Sequence, residues 1–164
     1  MLENRNINVC LVSDLFENYP LSENTIVVVV DLLRATTVIS SAFNFGVKEI
    51  IPVSSLEIAK TYLNREDFIV AAERNAMPIK GFDYGNSPFQ YMNNNILDKT
   101  LVLTTTNGTK AINIASSYEV ITSCFINIDA VEEFLLNSNK DVLILCSGWK
   151  GVFNLEDTIF SGCL

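Results

Sequence analysis

The chain has 164 residues, 49% of them hydrophobic and 18% charged, which is enough apolar side chain for one packed domain and too much for a disordered segment. Nineteen acids against eleven bases give a net charge of −8, which excludes the clustered Lys and Arg of a nucleic-acid-binding surface and leaves room only for a local basic pocket. There is no histidine. Ser-His-Asp triads, Cys-His dyads, His-ligated zinc and phosphohistidine chemistry are therefore excluded, and catalysis falls to carboxylates, hydroxyls, thiols, Lys, Arg, backbone amides or a hard metal ion.

Short apolar, β-branched runs recur along the chain, at 7–12, 25–30, 49–53, 68–71, 100–103, 119–121 and 141–145. They are nearly continuous rather than alternating, the pattern of strands buried on both faces of a mainly parallel sheet. Segments with helical spacing lie between them, at 35–45, 55–63, 110–116 and 130–136. Ser54 or Ser55 is placed to cap the second and Asp129 the last. The stretch 76–95 holds Pro78, Gly81, Gly85 and Pro88 and reads as a long loop with a short helix near 88–92. A final helix is expected from about Asn154. Alternation of strand and helix predicts an α/β fold of three layers, α/β/α, with a mainly parallel sheet. Residues 1–164 form one domain in this reading.

Cys10, Cys124, Cys146 and Cys163 form no CxxC pair and sit in or beside apolar runs, as buried free thiols do. Met1 is not followed by a signal-like segment, and the run 26–30 is too short to cross a bilayer. A cytoplasmic protein with no membrane partner is expected.

Polar residues collect just after the predicted strands. In Asp31-Leu32-Leu33-Arg34-Ala35-Thr36-Thr37 an acid ends an apolar strand and needs a partner or a metal. Arg34 is one candidate partner, while Thr36 and Thr37 are placed to bind phosphate oxygens near a helix start. The segment also reads as a structural Asp–Arg pair with Thr36 as a cap. In Thr104-Thr105-Thr106-Asn107-Gly108-Thr109-Lys110, hydroxyls and a Lys surround an Asn-Gly step that can adopt positive φ and turn its amides toward an anion. It also reads as an ordinary turn.

Glu73-Arg74 follows the strand at 68–71, as a functional pair or a surface salt bridge. Gly81-Phe82-Asp83-Tyr84-Gly85-Asn86-Ser87-Pro88 reads as a turn leading into a helix start. Gly148 lies in a glycine-containing loop after Cys146, ahead of Asn154-Leu155-Glu156-Asp157. That last segment has capping-box spacing or supplies metal-binding acids. Cys146 lacks the following Arg of a cysteine phosphatase and is read as a packing thiol. Right-handed crossovers bring such loops to one sheet edge, where acids for a metal and cations and amides for an anion meet. That combination suits metal-assisted phosphoryl chemistry.

Five ordered blocks carry a resemblance: Val-Val-Asp-Leu-Leu-Arg-Ala-Thr-Thr at 29–37, Ala-Glu-Arg at 72–74, Gly-Phe-Asp-Tyr-Gly-Asn-Ser-Pro at 81–88, Thr-Thr-Asn-Gly-Thr-Lys at 105–110, and Leu-Cys-Ser-Gly at 145–148 with Leu-Glu-Asp at 155–157. Together they resemble the ComB family of 2-phosphosulfolactate phosphatases. The resemblance implies a Mg²⁺-dependent hydrolase that converts 2-phosphosulfolactate to sulfolactate and phosphate, a step of coenzyme M biosynthesis in methanogens.

The spacing of these motifs gives catalytic roles to Asp31, Arg34, Glu73 and Arg74, and metal ligation to Asp31 with Glu156 or Asp157, with Glu73 as a further candidate ligand. Substrate binding falls to Thr36, Thr37, Thr105, Thr106, Asn107, Gly108, Thr109, Lys110 and Gly148. The partner implied is a small anionic phosphate ester, and a homo-oligomer is compatible with it. Arg34, Arg74, Lys110 and Lys150 are the cations available for the substrate. Asn75 and Lys110 replace the Gly and Arg that the family favours. Family members continue beyond the Leu-Glu-Asp block, so the resemblance also implies a C-terminally shortened chain. Alternatives are a phosphatase for another phosphorylated hydroxy acid and a non-catalytic anion-binding α/β module.

Overall fold

The computed structural model describes residues 5–164. Every predicted strand is present, and the parallel strands form two sheets rather than one. β1 (Ile7–Cys10), β2 (Thr25–Val30), β7 (Glu119–Ser123) and β8 (Asp141–Cys146) make an all-parallel sheet of order β1-β8-β2-β7. β3 (Glu49–Pro52), β4 (Phe68–Arg74), β5 (Met77–Pro78) and β6 (Thr100–Thr104) make a second, of order β3-β6-β4-β5, with only β5 antiparallel.

Each sheet is covered on both faces, which explains the unbroken apolar runs. All six residues of β2 are buried, and they alternate between two cores. Val27 and Val29 pack toward Ala111 of α3 (Gly108–Ile114) and Ala115 at its C-terminal end, together with Leu143 and Leu145. Ile26, Val28 and Val30 pack toward Val131 and Leu135 of α4 (Ile128–Leu136) and Phe160 of α5 (Leu155–Cys163). In the second sheet, Ile69, Ala71, Leu101 and Leu103 meet Val38, Ile39 and Ala42 of α1 (Ala35–Asn44). Val70 and Val102 face Ala59 of α2 (Leu56–Lys60). Both halves are α/β/α layers, as the strand–helix alternation requires.

Several local expectations change. α2 ends at Lys60, short of the predicted 63, where the Thr61 hydroxyl turns back to the Ile58 carbonyl and competes with helix propagation. Its N-terminus is capped by Ser55, whose hydroxyl accepts the Ile58 N–H at 3.2 Å. Asp129 is not the cap of α4. Asn127 holds that position, and its side chain bonds the Cys124 N–H and the Thr122 carbonyl. Asp129 instead lies in the first turn, where its charge suits the helix dipole. The 88–92 segment is a 3-10 turn at Pro88–Tyr91. Cys10, Cys124 and Cys146 are buried free thiols, whereas Cys163 is exposed. No helix of the described residues is long and apolar enough to cross a membrane.

Parallel strands place their C-terminal ends on one edge. β2 is central in the first sheet and β6 in the second, and the loops that follow them, β2–α1 and β6–α3, lie against each other. The crevice between the two sheets is therefore built from strand-end loops, the usual location of ligands in α/β folds.

Candidate active site

Asp31 ends β2 and is only 7% exposed. Its Oδ1 accepts the Ala35 N–H at 3.1 Å, which caps α1. Thr36 does not cap the helix; its hydroxyl donates to the Asp31 carbonyl at 2.9 Å. The Thr37 hydroxyl likewise donates to the Leu32 carbonyl at 2.8 Å. Both threonines therefore shape the β2–α1 loop, with their hydroxyl protons committed inside it. Arg34 is not the partner of Asp31, since the carboxylate has no ion pair among the described residues. The guanidinium of Arg34 reaches outward to the Ala76 carbonyl at 3.4 Å. Burial, and then the charge of Asp157, push the Asp31 carboxyl up to about 6, with a smaller push from Glu73. The Ala35 N–H and the Ser147 hydroxyl pull it back.

Asp157 approaches the same place from α5 and is fully buried. Asn154 caps the helix through the Asp157 N–H at 3.3 Å, as the capping spacing predicts. The other half of the box does not form. The Asp157 carboxylate accepts the Leu32 N–H at 2.8 Å, the Ser147 hydroxyl at 3.2 Å and the Gly148 N–H at 3.3 Å. It joins the β2–α1 loop to the loop after β8, and burial raises its carboxyl above the usual carboxylate range. The neighbouring Glu156 is half-buried and takes no part in these bonds. The acid that meets Asp31 is therefore Asp157.

The Asn107-Gly108 step departs from the positive-φ expectation. Asn107 has φ −121° and Gly108 opens α3 in the ordinary helical region. Gly108 is required for a different reason, namely close approach. A Cβ on it would lie 2.5 Å from Asp31 Oδ2 and 2.4 Å from the Ala35 Cβ. Thr105 and Thr109 bond each other reciprocally, with Thr105 N–H to Thr109 Oγ1 at 3.0 Å and Thr109 N–H to Thr105 Oγ1 at 3.1 Å. They stiffen the loop, and the Thr109 hydroxyl proton is committed within it, to the Thr105 carbonyl. Among the described residues, no acceptor within the protein meets the N–H groups of Asn107 and Gly108.

Glu73 and Arg74 form no salt bridge. Glu73 is 4% exposed, and its carboxylate accepts the Thr106 N–H at 3.2 Å, the Thr106 hydroxyl at 2.9 Å and the Ala76 N–H. The Arg74 guanidinium turns back to the Glu73 carbonyl and to Thr104 Oγ1 at 2.9 Å. Between β4 and β5 lies a two-residue turn, Asn75 at φ +54° and Ala76 at φ +62°. Left-handed φ at both positions is the hairpin geometry that suits Asn or Gly first. Asn75 meets that demand.

The loop after β8 completes the crevice. Gly148, Lys150 and Gly151 all have positive φ. Asn107 Oδ1 accepts the Lys150 N–H at 3.2 Å and ties this loop to β6–α3. Lys110 is not free, because its ammonium is ion-paired with Asp14. Asp14 is a partner that the motif reading missed, although it too follows an apolar strand run. Cys146 packs beside Ser161, and burial pushes its thiol up to about 11, consistent with a packing role.

Asp31, Arg34, Glu73, Thr106, Asn107, Gly108, Gly148 and Asp157 thus meet in one crevice, with Thr36, Thr37, Thr105, Thr109 and Arg74 as its framework. Glu156 and Lys110 lie outside the bonded set. A cavity of about 650 Å³ lies elsewhere, beside Arg65, Asp83 and Lys99.

A family model described as 2-phosphosulpholactate phosphatase matches residues 10–164. The chain is 44% identical over 143 residues to a protein of Caldanaerobacter subterraneus subsp. tengcongensis named "Probable 2-phosphosulfolactate phosphatase", covering 84% of this chain and 59% of the relative. It is 44% identical over 137 residues to a Thermotoga maritima protein of the same name, covering 84% and 60%. A Clostridium tetani protein, again so named, is 41% identical over 160 residues, covering 96% of this chain and 68% of the relative. The chain spans about three fifths of the length of most curated relatives it matches.

Proposed function

The chain belongs to the 2-phosphosulfolactate phosphatase family, and on that footing we propose that its crevice hydrolyses 2-phosphosulfolactate to sulfolactate and phosphate with the help of Mg²⁺. The observation that carries this reading is the contact of Gly108 with Asp31. It brings two uncommitted backbone N–H groups, at Asn107 and Gly108, against a buried carboxylate pair.

Asp31 and Asp157 are the residues that would hold the metal. Two carboxylates raised by burial, one of them also by the charge of the other, suit a hard divalent cation. Among the described residues no group of three His, Cys, Asp or Glu forms a protein-only cage. Mg²⁺ characteristically takes one or two carboxylates and completes its shell with water and substrate phosphate. When bound, the ion supplies positive charge for the phosphoryl oxygens and for the leaving alkoxide.

The protein's own groups do the rest. The Asn107 and Gly108 N–H groups donate to phosphoryl oxygens as charge builds on them. Arg34, held only by the Ala76 carbonyl, is available to turn its planar fork onto the phosphate. Arg74 and Glu73 fix the loops rather than touch the substrate. Water adds its oxygen to phosphorus in line as the P–O bond to the sulfolactate oxygen breaks, and the alkoxide takes a proton from solvent. Neither Cys146 nor any histidine takes part, so no covalent thiol or imidazole intermediate forms.

Phosphate release from 2-phosphosulfolactate tests the reading. Turnover with Mg²⁺ that falls at least about 100-fold in EDTA is expected. Binding without turnover under both conditions would favour a non-catalytic anion-binding module, and preference for another phosphorylated hydroxy acid would reassign the substrate.

A further inference from the structure

Resting on that phosphatase reading, we infer that Lys150, and not Lys110, recognises the sulfonate of the substrate and sets the preference for it. The proposed substrate carries phosphate, carboxylate and sulfonate, and a chain of net charge −8 must find cations for them locally. Both amino nitrogens of Arg74 are occupied by the Glu73 carbonyl and Thr104 Oγ1. Lys110 is neutralised by Asp14. Arg34 has a single long bond to a carbonyl and is the cation this reading gives to the phosphate. Lys150 is exposed, and among the described residues its ammonium has neither an ion pair nor a hydrogen bond; it lies 5.5 Å from the Trp149 ring centroid.

The loop holds Lys150 in place. Trp149 and Val152 bond each other through both backbone pairs, at 2.7 and 3.0 Å. Between them Lys150 at φ +51° and Gly151 at φ +78° form a tight turn with two left-handed residues. A lysine in that conformation is strained where Gly or Asn would not be. The Lys150 N–H bonds Asn107 Oδ1, one residue from the Gly108 that touches Asp31. The Lys150 backbone is therefore tied to the loop whose Asn107 and Gly108 N–H groups receive the phosphate in this reading. In 2-phosphosulfolactate the carboxylate shares a carbon with the phosphate ester, and the sulfonate lies one carbon further out. A cation on the loop beside the phosphate site is within reach of that second anionic group.

The test uses the full chain as wild type, Lys150→Met, Lys150→Arg, Lys150→Gly and Lys110→Met. Two ratios are measured: kcat/KM for 2-phosphosulfolactate over 2-phospholactate, and affinity for sulfolactate over lactate. Affinity is read through Trp149, the single tryptophan of the chain. Both ratios are expected to fall about 10- to 100-fold in Lys150→Met, through KM in the kinetic case, and to recover in Lys150→Arg. Lys150→Gly is expected to lose the same preference while raising Tm, which a purely structural role would not produce. Lys110→Met is expected to retain both ratios. Unchanged ratios in Lys150→Met, or a collapse in Lys110→Met instead, would overturn the assignment. If the wild type turns over neither ester, the phosphatase reading fails, and the sulfolactate-to-lactate affinity ratio still decides for or against Lys150.

Discussion

Gly108 and Asp31, 77 positions apart in sequence, touch so closely that a single added methyl group at Gly108 would fall within 2.5 Å of the Asp31 carboxylate. The Ala35 Cβ closes the same space from α1 at 2.4 Å. Neither neighbour can give way cheaply, since Asp31 is held by Ala35 and Ala35 is fully buried. Gly108→Ala therefore has to move the β6–α3 loop away from the carboxylate. We expect a loss of about 1–3 kcal/mol in stability, as for other overpacked sites, and a fall of roughly 100-fold in phosphatase turnover as the N–H groups leave their positions. Thermal unfolding and steady-state rates measure the two together, and normal turnover in a folded Gly108→Ala protein would refute the crevice.

Asp31 makes the metal-free protein pH-dependent in a defined direction. Its folded-state carboxyl is raised from 3.8 to about 6, so the folded chain binds a proton more tightly than the unfolded one. The stability this group contributes is fully present below about pH 4 and is lost as pH rises through about 6. At about 1.4 kcal/mol for each tenfold change in proton affinity, the loss is on the order of 3 kcal/mol. In EDTA, Asp31→Asn should thus unfold at a higher temperature than wild type at pH 7.5, with the advantage disappearing near pH 4. The same substitution should abolish turnover and the stabilisation that Mg²⁺ gives the wild type. A lower Tm for Asp31→Asn at pH 7.5 would contradict the cost assigned to a charged Asp31 by its burial and by the charge of Asp157.

Asp157 and its sequence neighbour Glu156 separate cleanly. Asp157→Asn replaces an acceptor-only carboxylate with an amide, and whichever way it turns, its NH₂ faces a donor at Leu32, or at Gly148 and Ser147. An unsatisfied buried pair costs about 1–3 kcal/mol, and the metal ligand is lost with it. Glu156→Gln, on a half-buried side chain outside these bonds, should leave stability within about 0.5 kcal/mol of wild type and keep at least about half the turnover. Equal losses in the two variants would return Glu156 to the metal site.

Most of the fold was legible because β2, β6 and β8 are buried on both faces, and such strands read as unbroken apolar runs. The division into two sheets was not legible. Periodicity reports burial, not which edge strand pairs with which, and β7 and β3 look alike to such a reading. The site was legible as positions following strands, which held for Asp31, Asn107 and Gly148, whereas Glu73 lies within β4, which runs on to Arg74. Partnerships between side chains were not. Arg34 follows Asp31 by three residues yet turns to Ala76, Lys110 finds Asp14 across 96 positions, and the capping spacing at Asn154 gave the cap without revealing where the Asp157 carboxylate goes. Gly108 was singled out for φ freedom when its missing Cβ mattered, because close approach leaves no mark in local sequence.

Glu73 provides the last expectation. Its carboxylate receives the Ala76 N–H and both donors of Thr106, which joins the β4–β5 turn to the β6–α3 loop, and the Ala76 carbonyl in turn receives Arg34. Glu73→Gln sets an NH₂ group against a donor at Ala76 or Thr106, so the turn loosens and Arg34 loses its support. We expect KM for the phosphate ester to rise about 10-fold, with a stability loss of about 1–3 kcal/mol. Ala76→Gly is the counterpart: it relieves a left-handed alanine at φ +62°, worth about 1 kcal/mol, and keeps the carbonyl that Arg34 uses. That variant should gain stability with KM unchanged. If Ala76→Gly raised KM as far as Glu73→Gln does, rigidity of the turn itself, rather than the carboxylate link to Thr106, would be what positions Arg34.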